Sequence, residues 1–190
     1  MIDTSMGLKD MSKRDILVNV AVLIGFIILC MGGGGIMGAI TRNDFGDRSE
    51  WYKALIKPSF NPPNFLFGIV WPILYLLMAI AAFAVWTKTG LTKEPIPLVI
   101  FFIQLALNFI WTLIFGKAKD LLASLVEIII LWLFILLTIK KFWKVNRGAA
   151  LCLAPYLAWV TLAVALNYKY WELNPNMKPD YSWFVLKTEL

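Results

Sequence analysis

Five long apolar stretches separated by short polar ones set the pattern of this chain, over residues 16–40, 65–86, 96–115, 121–139 and 149–170. A helix needs about 20 mostly apolar residues to cross a hydrocarbon core about 30 Å thick, and each stretch is of that order. The last four are joined by the short connectors 87–95, 116–120 and 140–148, which force neighbouring helices to run antiparallel. The pattern predicts an all-α membrane protein, a five-transmembrane-helix bundle with its termini on opposite sides. It divides the chain into an N-terminal tail (1–15), a membrane domain (16–174) and a C-terminal tail (175–190), where Pro175 and Pro179 bring in mixed polarity. Lys13 and Arg14 precede the first stretch as in a signal peptide. That stretch is longer than a signal h-region and has no A-x-A end, so it predicts a permanent span. No internal repeat is visible, and an odd helix count argues against the inverted repeats of many secondary transporters.

Composition agrees: of 190 residues, 60% are hydrophobic and 16% charged, against about 25% charged in a soluble domain. The net charge of +6 comes from basic residues set singly or in pairs beside apolar runs, as membrane-flanking charges are. No contiguous basic patch exists, so the expected partner is the lipid bilayer and not nucleic acid. Lys and Arg divide evenly between the two sides (Lys9, Lys13, Arg14, Lys88, Lys93, Lys140, Lys141, Lys144 and Arg147 against Arg42, Arg48, Lys53, Lys57, Lys117, Lys119, Lys169, Lys178 and Lys187). The positive-inside rule therefore returns no orientation. With zero histidines, a Ser-His-Asp triad, an H-E-x-x-H zinc site and a His-held haem are excluded. Cys30 and Cys152 lie inside apolar runs without C-x-x-C spacing, which excludes a zinc ribbon or disulfide framework. No metal site is expected.

The within-span polar and aromatic residues carry the candidate chemistry. Trp86, Trp143 and Trp171 lie near span ends and fit an interfacial aromatic belt; Trp71, Trp111, Trp132 and Trp159 lie deeper. Helical spacing puts Trp71, Tyr75, Met78 and Ala82 on one face, Gln104, Asn108 and Trp111 on another with Thr112 adjacent, and Tyr156, Trp159, Ala163 and Asn167 on a third. Such faces either hydrogen-bond the helices together or line a cavity for a planar aromatic ligand. Residues 41–62, rich in aromatics and followed by Pro63, form either an interfacial loop or a lid over the bundle mouth. Gly34 and Gly38 make a G-x-x-x-G pair suited to internal packing, a dimer face or ligand clearance. Glu127 is an acidic residue well inside a span and a functional candidate on that ground. Asp120 reads as a helix cap, and Pro155 as a kink in the fifth helix.

Four segments in register resemble the TspO/MBR family, the tryptophan-rich sensory proteins that include the mitochondrial translocator protein. They are W-Y-x-x-L-x-K-P-S-F-x-P-P at 51–63, F-x-x-V-W-x-x-L-Y-x-x-M at 67–78, Q-L-A-L-N-x-x-W at 104–111 and P-Y-L-A-W-V-x-x-A-x-x-L-N-Y at 155–168. The resemblance, from about Gly32 to Asn174, implies a five-helix bundle, often a homodimer, with a pocket opening toward the loop between helices one and two. It implies protoporphyrin IX or haem as ligand, with no obligatory cofactor. It also implies light-dependent porphyrin breakdown in some bacterial members, in which Trp71 and Trp159 are the catalytic positions. Asn108, Trp111, Ala163 and Leu166 match pocket-lining positions, and Trp51 and Pro58 lie in the lid-like loop. A porphyrin would stack on Trp71 and Trp159, with polar contacts from Asn108 and Tyr75. The cholesterol motif of animal members is not matched, because no Lys or Arg stands at the required distance after Tyr168 or Tyr170. Three functions follow: an integral membrane tetrapyrrole sensor or carrier, a small secondary transporter using Glu127, or a dimeric structural membrane partner.

Overall fold

The computed structural model describes residues 12–90 and 94–183. Lys9, Lys93 and Lys187 of the charge count, and the outer parts of both tails, lie outside the described residues. The helices are α1 (Lys13–Ile40), the short α2 (Glu50–Ala54), α3 (Asn64–Thr89), α4 (Ile96–Lys117), α5 (Leu121–Val145) and α6 (Arg147–Leu173). All but α2 are long and apolar enough to cross a membrane. This is the five-helix all-α architecture that the apolar stretches predict. Large side chains such as Leu17, Ile28, Phe65, Leu133 and Leu151 are exposed on the outside of the bundle, where acyl chains and not water would meet them.

Around the bundle the order is α1, α3, α6, α5, α4, and α3 touches all four other spans. Several spans outrun their apolar stretches. Lys140, Lys141 and Lys144 belong to α5, since a lysine stem can lie along apolar surface while its ammonium reaches the interface. The α5–α6 connector shrinks to Asn146. Its side chain caps α6 by accepting from the Ala149 amide (3.2 Å) and donates to the Ala84 carbonyl of α3 (3.5 Å). Asp120 caps α5 through the Ala123 amide (2.9 Å). α6 breaks at Leu153, so that Pro155 falls in the first turn of its second segment, where a missing N–H costs least. α1 and α4 each contain one widened π-type turn, at Ile28–Gly32 and Leu113–Lys117.

The glycine run serves the core. A Cβ on Gly34 would stand 2.2 Å from the Tyr75 ring, and one on Gly33 2.5 Å from the Phe109 ring. Gly38 and Gly35 have nothing within 4 Å of such a Cβ. Of the three roles open for Gly34, the structure assigns internal packing, against the ring of Tyr75.

The described part of the C-terminal tail is fastened to the α4–α5 connector. The Asp180 amide donates to the Ala118 carbonyl (2.7 Å), and its carboxyl pairs with Lys119 (2.8 Å). The Lys119 ammonium, helped by the Ser182 hydroxyl and amide, holds the Asp180 carboxyl well below the usual carboxylate range.

Two expectations follow. Gly34→Ala should destabilise by about 1–3 kcal/mol through overpacking. Gly38→Ala should be neutral or stabilising by up to about 1 kcal/mol from helix propensity. Thermal unfolding of the detergent-purified variants reads both, and equal shifts would refute the packing role. For the tail, a depressed folded-state pKa means a contact fully present above the ordinary carboxylate pKa of about 4. It is lost only as pH falls through the lowered value. Hydrogen exchange at the Asp180 amide should therefore stay protected at about pH 4 and lose that protection in Lys119→Gln.

Candidate functional site

Near the Ala84–Asn146 end α3 and α6 pack directly, and toward the other end their backbones part. Aromatic rings bridge that gap: Trp71 meets Tyr156 edge-on (6.4 Å between centroids) and Phe67 meets Trp159 likewise (5.5 Å). The space between α1, α3, α4 and α6 is a cavity of about 480 Å³, inside the range of about 300–1,000 Å³ usual for small-molecule sites.

Its floor is a hydrogen-bonded chain. The Tyr75 hydroxyl donates to Asn108 Oδ1 (2.7 Å), and Asn108 Nδ2 donates to the Tyr156 hydroxyl (3.1 Å). Each partner comes from a different span, and Tyr156 and Asn108 are almost fully buried. One turn nearer the mouth, the Trp111 indole donates to Asn167 Oδ1 (3.2 Å), while Asn167 Nδ2 donates to the Ala163 carbonyl of its own helix (2.7 Å). Trp71 stacks on Tyr75 (5.5 Å, 29° between planes) and Trp111 on Phe115 (5.2 Å, 21°). The widened turn of α4 carries Phe115 onto the wall. On α3, Pro72 has no N–H to offer the Gly68 carbonyl, and both residues line the cavity.

Across the mouth lies the connector after α1, packed as a lid. Ser49 caps α2 by accepting from the Tyr52 amide (3.1 Å). That turns Tyr52 and Leu55 inward onto Phe115, Leu166 and Tyr170. Asn174 then grips the lid backbone. Its Oδ1 accepts from the Ile56 amide (2.8 Å) and its Nδ2 donates to the Ile56 carbonyl (3.0 Å). The Tyr170 hydroxyl donates to Asn61 Oδ1 (2.7 Å), and Asp44 pairs with Lys117 of α4 (2.7 Å). Gly116 admits Phe45 closely, since a Cβ there would lie 2.8 Å from its ring.

The sequence candidates divide. Trp71, Tyr75, Trp111, Ala163 and Leu166 line the cavity. Asn108 lies just behind the wall and reaches it through Tyr75. Trp159 is not on that wall; it lines a shallow groove between α3 and α6 with Val70 and Pro155. Phe67 stands between it and the cavity, and the Trp159 indole N–H has no hydrogen-bond partner among the described residues. Trp51 and Pro58 belong to the lid but not to the cavity wall. Trp51 packs edge-on against Phe115 (5.6 Å), and Pro58 is buried. Trp132, also within a span, joins α5 to α6 by donating to Thr161 Oγ1 (2.8 Å). Glu127 is buried with neither carboxyl oxygen hydrogen-bonded among the described residues, and it too is off the cavity wall. Missed were Arg42, Phe45, Phe67, Phe115 and Tyr170, among the residues that line the cavity. Extending two helical faces by one turn, from Trp71 back to Phe67 and from Asn167 on to Tyr170, would have found two of them.

The family model that matches, the TspO/MBR family, covers residues 26–172. The chain is 41% identical over 133 residues to Protein CrtK of Rhodobacter capsulatus, covering 68% of this chain and 81% of that one. It is 44% identical over 129 residues to the tryptophan-rich protein TspO of Chlorobaculum tepidum (67% and 81% covered). It is 34% identical over 156 residues to the tryptophan-rich sensory protein of Cereibacter sphaeroides (82% and 93% covered), and 33% identical over 153 residues to the translocator protein of Bos taurus (80% and 89% covered). With a matching family model across most of its length, and five helices long and apolar enough to cross a membrane, the chain belongs to the TspO/MBR family.

Proposed function

We propose that this integral membrane protein binds a tetrapyrrole of the protoporphyrin type in the cavity beneath the lid and serves as its sensor or carrier. The observation that carries the reading is the wall itself. Trp71 and Tyr75 of α3 and Trp111 and Phe115 of α4 form two stacked ring pairs that line one cavity. Flat conjugated ligands gain most from such surfaces. A free-base porphyrin suits the wall better than an axially ligated haem, because the chain has no histidine to hold iron. Glu127 lies off the cavity wall, which favours this reading over a transporter built on that carboxyl.

Titration of the purified protein with protoporphyrin IX should quench tryptophan fluorescence saturably. Trp71→Ala should weaken binding by about threefold to tenfold, the loss expected for one aromatic contact of about 0.5–1.5 kcal/mol. Absence of saturable quenching would refute the proposal. If illumination destroys the bound porphyrin, Trp71→Phe should slow that loss more than Trp159→Phe, since Trp71 is on the cavity wall. The reverse order would place the ligand in the outer groove.

The lid gives a separate expectation. Asn174→Ala removes both side-chain bonds to Ile56 at about 1–3 kcal/mol for the buried groups left unpaired. Stopped-flow release of protoporphyrin IX should accelerate by roughly fivefold or more. An unaltered off-rate would mean that the lid does not retain the ligand.

A further inference from the structure

Within the spans the cavity wall is mostly apolar and aromatic and carries no charge, and its character changes at the mouth. Among the described residues that line it, Arg42 alone carries a charge. It stands two residues beyond the end of α1, exposed, on the side that the lid covers. Near the mouth Lys117 pairs with Asp44 (2.7 Å), Lys53 with Glu50 (2.6 Å) and Lys119 with Asp180 (2.8 Å), and the Lys57 ammonium lies over the Tyr52 ring (4.5 Å). Asp47 accepts from Asn64 Nδ2 (3.4 Å). No ion pair involves Arg42 among the described residues. Among the described lining residues, therefore, one guanidinium stands in no ion pair, above a wall built for a flat apolar body.

We propose that Arg42 recognises a carboxylate at the edge of the ligand, so that the site selects planar aromatic carboxylates over their neutral esters. This deepens the tetrapyrrole reading and rests on it for the identity of the ring system, though not for the charge selection. Guanidinium suits the task because it is planar, always charged and able to bond both carboxylate oxygens at once. The placement suits it too. Ring and carboxylate would separate along the bundle axis, the ring among Trp71, Tyr75 and Trp111 and the charge at the wet end, where its desolvation is least. A phospholipid phosphate could offer Arg42 a similar anion from the surrounding headgroups. That source predicts no preference for acid over ester in the cavity.

The test measures dissociation constants by tryptophan quenching in nonionic detergent for two acid–ester pairs. One is protoporphyrin IX and its dimethyl ester; the other is pyrenebutyric acid and its methyl ester. The wild type should prefer each acid by about threefold to tenfold, the scale of a partly exposed charge-assisted contact. Arg42→Gln should abolish that preference by weakening the acids alone, with the esters serving as the check on folding. Arg42→Lys should keep part of it, and added salt should reduce it in the wild type. Equal binding of acid and ester by the wild type, or an Arg42→Gln variant that loses both alike, would overturn the assignment. The two readings fail differently. If porphyrin acid and ester bind equally well, the tetrapyrrole reading stands and Arg42 falls. If neither porphyrin binds but the pyrene pair shows an Arg42-dependent preference, the assignment stands and the ring system was wrong. If no compound binds, both are overturned.

Discussion

Asn108 is a polar side chain in the middle of a membrane span, and its carboxamide must be satisfied inside the protein because lipid offers nothing in exchange. It accepts from Tyr75 and donates to Tyr156, so one amide joins α3, α4 and α6 below the cavity. The rest of the site depends on this junction. With its hydroxyl so fixed, the ring of Tyr75 lies against Gly34 of α1 and under Trp71. Tyr156 meets Trp71 from the other side. Replacing Asn108 by an apolar residue would leave two tyrosine hydroxyls to find new partners in hydrocarbon, and the aromatic wall above them would lose its datum.

The spans were legible from apolar length because the bilayer sets one dimension that every helix must meet. Their ends were less so. Lys140, Lys141 and Lys144 read as a connector, yet they continue α5, because long amphipathic side chains satisfy helix and interface together. The widened turns at Ile28–Gly32 and Leu113–Lys117 left no mark in the periodicity. They alter hydrogen-bond register without requiring a residue type, and one of them aims Phe115 into the site.

Within the site, spacing found the right faces but not their edges. Trp159 lies roughly 60° round the helix from Tyr156 at 3.6 residues per turn. That is close enough to be assigned to the same face and far enough to sit beyond Phe67, on the membrane-facing groove. Gly34 shows the same gap: a small residue in a span announces a close approach, but only the three-dimensional arrangement names Tyr75 as its partner. The lid was half legible. Its prolines and aromatics implied a defined shape, while its anchor, Asn174, stands more than a hundred residues away, separated from Ile56 by 118 positions. Glu127 met the usual criterion for a functional residue in a membrane, and the cavity formed elsewhere. Burial of one carboxyl marks an unusual environment and does not by itself locate a ligand.

Floor and lid differ in what could replace their bonds. The Tyr75–Asn108–Tyr156 chain lies where water is absent, so breaking it strands donors and acceptors at full desolvation cost. The contacts of Asn174 with Ile56 and of Asp44 with Lys117 lie beyond the ends of α6 and α1, on the side where water and headgroups can take over a hydrogen bond. Opening the lid therefore exchanges one set of partners for another, while opening the floor loses them. A bundle built this way confines its low-stability motions to the mouth and holds the aromatic wall fixed, which is the division that the proposed entry of a rigid, flat ligand from one end requires.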